Sequence, residues 1–258
     1  MAGKGRDMDS LRDPHTMREV HGLREFHQLV FFWMELGGQR LENLERPSWQ
    51  NYLISLGVTA VRAAAAIEVI AMAGRAEGMQ CIVRQIIEII TRFVHLIKSK
   101  DSGYRAELKR DQDQRSKIKK FEGLCSRPWM GELSSEKFPG VDPTPPAEYK
   151  PIASPDAGVG IGLRAEYQYL CLITHNHLTA IYAKANTHLR GNQMDSTEPD
   201  PPALVERYLH ITVDAMQIGC AKFFSDRELL SATDDVRDGL LDRLNKLTDA
   251  FKSACPER

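Results

Sequence analysis

The sequence predicts an all-α protein, an irregular multi-helix bundle interrupted by one long Pro/Gly-rich loop. Three observations carry this. Apolar residues recur at three- and four-residue spacing through most of the chain, no stretch alternates β-branched and polar residues, and prolines and glycines concentrate between residues 131 and 162. The expected organisation is N-terminal helices over 1–130, a loop or linker over 131–162, and C-terminal helices over 163–258 that pack on the first part as one domain.

Asp13-Pro14 can cap and open a first helix and Gly37-Gly38 can end it, with Val20, Leu23, His27, Val30 and Met34 as its core stripe. Pro47 breaks the chain and Ser48 can cap a second helix over 49–77, whose run Ala63 to Ala66 would let another backbone approach closely before Gly78 interrupts. A third, very apolar helix follows over 79–99, and Asp101-Ser102 can cap a charged fourth ending near Gly123. Six prolines between Pro139 and Pro155, with several glycines, make 131–162 irregular, either a functional flap or an insertion. GVGIG at 158–162 lacks a preceding strand and the full glycine spacing of a phosphate loop. Helical periodicity returns from 163 to 190 through Tyr167, Leu170 and Thr174 until Gly191 ends it. Pro201-Pro202 can open a helix to about Phe224, and the Leu-rich tail from Asp226 to Phe251 reads as one more, with a break near Thr233.

With 258 residues, 42% of them hydrophobic, the chain can bury a core, and a formal net charge of -1 excludes binding to nucleic acid through global positive charge. Local charge is uneven. From Lys98 to Lys120 nine bases face four acids, and from Asp226 to Phe251 four bases face seven acids. The basic stretch reads as a solvated face of ion pairs, or as a surface that steers phosphate. The five cysteines include no Cys-x2-Cys pair and read as free thiols. The N-terminus has no secretion signal, and Arg62, Glu68, Glu88 and Arg92 interrupt the two most apolar stretches before the ~18–20 residues of a membrane span. A cytosolic protein is expected.

In the third helix Arg84, Glu88, Arg92 and His95 stand within an arc of about 80° and form one polar ridge. Such a row is either a self-satisfied ion-pair ladder or an anion site in which guanidinium groups hold phosphate, Glu88 orients them and a histidine moves a proton. His175 and His177 point about 200° apart on a helix and cannot chelate one ion. Glu206, His210 and Asp214 make an i, i+4, i+8 stripe, but no Glu-x2-His motif supports a metal centre. Pairing of that stripe with Arg207 or a neighbouring helix is expected instead, and no metal or cofactor is expected.

The Arg84-x3-Glu88 helix preceded by an Ala-rich helix, the charged helix after it, and Tyr167-x2-Leu170-x4-His175 resemble a bacterial all-helical family known as a domain of unknown function. The resemblance spans about residues 60–190, with the Pro-rich 131–162 segment departing from it, and implies Arg84, Glu88 and His175 as a shared polar site. The family's helical pattern is similar to the nucleotide-binding bundles of prokaryotic toxin and phage-defence ribonucleases, many of them metal-independent. Those enzymes place Arg before His with four to six residues between them. Here the nearest pairs, such as Arg92/His95 and Arg207/His210, have two residues between them.

Two expectations follow. By the resemblance, the protein is a metal-independent RNA-directed effector, with Arg84 and Arg92 holding phosphate, His175 or His95 as general acid/base, Glu88 orienting them and the 98–120 helix steering RNA. By composition, it is a non-catalytic helical interaction module whose ridge is an internal ion-pair network and whose exposed helices bind a protein partner or a second copy of the chain.

Overall fold

A computed structural model describes residues 20–38, 49–122, 161–174, 189–190, 193–194, 200–226 and 234–256. Among them the fold is all-α. The helices are α1 (Leu23–Gly38), α2 (Trp49–Met72), α3 (Ala76–Glu122), α4 (Ile161–Thr174), α5 (Pro202–Ser225) and α6 (Asp234–Ala254). A two-residue antiparallel ladder pairs β1 (Leu189–Arg190) with β2 (Gln193–Met194), so the chain is already extended at 189–190, where the sequence predicts the end of a helix.

α1 starts later than Asp13-Pro14 suggests. Val20, His21 and Gly22 are not helical, Gly22 has φ +74°, and its carbonyl accepts the first helical bond from the Phe26 amide. Its buried side is Phe26, Leu29, Val30, Phe32 and Trp33, whereas His27 and Met34 of the expected stripe are exposed. α2 ends at Met72 rather than 77. The Arg75 amide donates to the Ile70 carbonyl and the Gly74 amide to that of Ala71, with Gly74 at φ +65°, so Gly74 terminates the helix in a Schellman motif. Gly78, the expected break, lies inside α3.

α3 runs through both expected helices, and the break between them survives as a kink at Lys100, whose φ 48° and ψ −126° are strained for an L side chain. The kink falls beside Asp101-Ser102, and Ser102 Oγ donates to the Ser99 carbonyl. Pro201 and Pro202 open α5 as the sequence predicts. The 131–160 part of the Pro/Gly-rich segment lies outside the described residues, and Ile161 and Gly162 already belong to α4.

α5 is the hub, burying Val205, Tyr208, Leu209, Val213 and Ala215. It packs between α3 and α6. α2 packs along α3, α1 lies against α2 and α6, and α4 covers α3. A Cβ at Gly219 would stand 2.9 Å from Ile90 Cδ1, so the glycine is what lets α5 come this close to α3. At the other end the Asp200 amide donates to the Gly74 carbonyl while its carboxylate accepts from the Glu77 amide, tying the start of α5 to the start of α3. α2 is the one helix among the described residues long and apolar enough to cross a membrane by length and composition.

Candidate functional site

Helical spacing sets Arg84 and Glu88 one turn apart on α3, and Tyr167, Cys171 and Thr174 along one side of α4. Where the two helices meet, Arg84 Nη2 lies 3.1 Å from Glu88 Oε1, and Arg84 Nη1 donates to Thr174 Oγ1 at 2.9 Å. The Tyr167 hydroxyl donates to the same Glu88 oxygen at 2.9 Å, and the Arg84 guanidinium carbon lies 5.9 Å from the Tyr167 ring centroid. Thr174 passes the chain of bonds to the Leu170 carbonyl. Arg84 Nε is enclosed and has no acceptor among the described residues.

Burial works against the Arg84 charge, but Cys171, Glu88 and Tyr167 outweigh it and hold the guanidinium pKa above its usual value. The Tyr167 phenol is pushed up to about 12, first by burial and then by its contacts with Cys171 and Glu88. Around neutral pH the cluster therefore holds a cation, an acceptor and a protonated phenol.

The structure divides the polar ridge. His95 stands about 16 Å along the helix from Arg84, half-buried near the kink. Burial lowers its pKa, Glu107 from beyond the kink opposes that, and Lys98 adds to it. Glu107 also pairs with Arg110 at 2.9 Å. His95 thus belongs to the bend in α3 and not to the Arg84 cluster. Arg92, half-buried between them, makes no hydrogen bond or ion pair among the described residues. His175 and His177 lie outside the described residues, as does Cys125. Cys81, Cys171, Cys220 and Cys255 are free thiols, and burial pushes the Cys220 thiol up to about 12.

A second polar seam is built on the Glu206, His210 and Asp214 stripe, whose partners have no local sequence signal. Glu206, buried in α5, accepts from the His21 amide at 3.1 Å and bonds His21 Nδ1 at 2.7 Å. One turn on, His210 Nε2 bonds the Cys255 carbonyl at 2.5 Å, and Asp214 pairs with Lys252 at 3.1 Å. The expected Glu206, His210 and Asp214 stripe therefore pairs with neighbouring elements and clips the start of α1 and the end of α6 onto α5. Arg207 turns away to Glu166 of α4, its Nη2 donating to both carboxylate oxygens at 2.8 and 2.9 Å. Among the described residues no three His, Cys, Asp or Glu side chains converge on a point that could hold a metal ion.

Tyr208, fully buried in α5, also has its phenol pushed up to about 12, chiefly by burial. An unfolded phenol ionises near pH 10. Both tyrosines therefore contribute stability that is complete below about pH 10. It is lost as pH rises towards about 12, because there the unfolded chain releases protons that the folded chain retains. Denaturation midpoints measured from about pH 9 to about pH 12 should fall over this window, with phenolate absorbance of these two residues appearing only on unfolding. Tyr208→Phe should flatten the fall.

No known protein family, curated protein or solved structure matches the chain.

Proposed function

We propose that the chain is a non-catalytic helical interaction module in which Arg84, Glu88, Tyr167 and Thr174 form a strut between α3 and α4. The observation that carries this is that both terminal nitrogens of Arg84 are taken up by this chain's own acceptors, Glu88 and Thr174. A guanidinium that clamps a phosphate needs that fork open, and a carboxylate in contact with it opposes an incoming anion. With His95 at the bend, the described part of the ridge does not gather an acid, a base and an anion holder at one point. Large apolar side chains exposed on α1 and α2 supply surface for a partner.

A ribonuclease-like effector of a bacterial defence or toxin type is the second reading. Its support is the enclosed Arg84 Nε, without an acceptor among the described residues, and the place of Thr174, bonded to Arg84, directly before His175 in the chain. The motif resemblance over residues 60–190 adds to it. In this reading Arg84 and Arg92 hold RNA phosphate, Glu88 orients them, and His175 transfers the proton without metal.

One experiment separates the two. Wild-type protein, His175→Ala and Tyr167→Phe are incubated with total bacterial RNA in excess EDTA, while denaturation is followed by circular dichroism. The interaction module predicts intact RNA in all three, and a loss of about 0.5–1.5 kcal/mol in Tyr167→Phe from the missing bond to Glu88. Cleavage by the wild type that disappears in a folded His175→Ala overturns it in favour of the nuclease.

A further inference from the structure

We propose that the cavity between α1, α2, α3 and α5 binds a small neutral molecule, an apolar ring or short chain that carries one hydrogen-bond acceptor for Trp33 Nε1. The proposal goes beyond both readings of the chain, because neither the strut between α3 and α4 nor the nuclease constellation uses these residues.

The buried Trp33, Ala60, Ile90 and Met216 line its inner part, and the half-buried Leu36, Val58 and Phe223 lie towards its mouth. Its volume is about 80 Å³, several times the ~10–15 Å³ that one water needs. No lining residue is charged at neutral pH, since the Cys220 thiol, the one titratable group in the wall, is pushed up to about 12 by burial. A carboxylate or an amine placed here would lose its water and meet no counter-charge. The occupant is therefore neutral.

Trp33 supplies the polar contact. It is 1% exposed, and its Nε1 is enclosed with no acceptor among the described residues. A buried indole N–H as a rule finds a partner, because one left bare forfeits the hydrogen bond it makes to water in the unfolded chain. Water fits this wall poorly: an ordered water needs about two to four polar partners, and apart from the indole and the Cys220 thiol the lining side chains are apolar. A molecule with an apolar body and one acceptor meets both conditions, which is the usual balance of a small-molecule site.

Gly57 is the second observation. Glycine inside a helix weakens it relative to alanine, and at Gly219 the close approach of Ile90 explains why one is kept. Gly57 of α2 has no such reason among the described residues: a Cβ there would meet only Phe93 Cε2, at 3.4 Å, an ordinary contact. What a larger side chain at position 57 would remove is the cavity itself, which Gly57 lines together with the Phe93 and Phe223 rings, whose centroids lie 6.1 Å apart. Those rings and the Trp33 indole make a wall suited to an aromatic ring.

Acetophenone and isopropenylbenzene test the proposal as a pair, because they share a ring and a shape and differ by a carbonyl oxygen in place of a methylene. In nitrogen–proton correlation spectra of the full chain both should bind at one saturable site. Acetophenone should move the Trp33 indole proton downfield, and isopropenylbenzene should not. Trp33→Phe should lower the preference for acetophenone over isopropenylbenzene about tenfold. Gly57→Leu, which fills the space with a better helix former, should weaken both by more than about tenfold with an unchanged circular dichroism spectrum. Val61→Phe, one turn further along the same wall, replaces it where Gly57→Leu does not fold. Absence of saturable binding to the wild type overturns the proposal. So does binding that survives in the folded cavity-filling variant, an equal indole shift with both probes, or a preference unchanged in Trp33→Phe. An indole shift that phosphatidylcholine vesicles produce and the free probes do not overturns it in favour of a lipid chain.

Discussion

Gly22→Ala is expected to destabilise the folded chain by about 2–4 kcal/mol. At φ +74° an alanine is strained by roughly 1 kcal/mol or more, and its methyl would fall 2.6 Å from Cys255 Cβ and 3.1 Å from the Phe251 ring. Neither neighbour can retreat, because both are fully buried and the Cys255 carbonyl is held by His210. The preceding residue, His21, bonds Glu206 through its amide and its ring. A shift at Gly22 therefore disturbs the whole seam that joins α1, α5 and α6. Gly239 is the control: it lies within α6, and a Cβ there meets nothing within 4 Å. Gly239→Ala should gain about 0.5–1 kcal/mol from helix propensity. Urea denaturation of the two variants measures both, and equal effects would mean that Gly22 is not a packing contact.

That seam also marks the limit of what sequence reading could reach. Local chemistry was legible. Pro201-Pro202 opens α5, the chain breaks beside Asp101-Ser102, and the i, i+4 spacing of Arg84 and Glu88 yields an ion pair. Each of these depends on residues within about one helical turn. The end of α2 was misplaced because Gly74 and Gly78 both interrupt one continuing pattern, and only the bonds from Gly74 and Arg75 back into α2 decide between them. Of the expected α1 stripe Val20, Leu23 and Val30 pack on the core, whereas His27 and Met34 do not, because α1 is apolar over much of its circumference and periodicity alone does not select the buried side. α2 and α6 select Phe26, Leu29 and Trp33 for burial and leave Met34 outside.

In the candidate site the ridge on α3 was legible as a set of residues on one face, but not as a set of contacts. The distance of about 16 Å between Arg84 and His95 follows from helical rise alone, but that His95 meets Glu107 depends on the Lys100 kink, and whether Arg84 finds a phosphate or Thr174 depends on where α4 crosses. The bond from His21 to Glu206 spans 185 residues, a separation at which no spacing rule operates.

The second large effect is expected at Phe26, where substitution by alanine should cost about 3–5 kcal/mol. Phe26 is fully buried, meets the Trp33 ring edge-on at 6.2 Å, and lies 6.1 Å from the Phe251 ring, which in turn lies 4.9 Å from that of His210. It is the point at which the apolar sides of α1 and α6 lock together beside the polar seam on α5. Removing the ring deletes contacts to two aromatic neighbours that the rest of the core already holds in place, so the cavity cannot collapse. Phe31, five residues further along the same helix, supplies the contrast. It has the same chemistry but is more than half exposed, so Phe31→Ala should change the stability of the single chain by no more than about 0.5 kcal/mol. Both are measured by urea denaturation of the full chain. A loss below about 1 kcal/mol at Phe26 would mean that α1 is held by α2 alone. The Gly22 and Glu206 contacts would then close nothing that the core depends on.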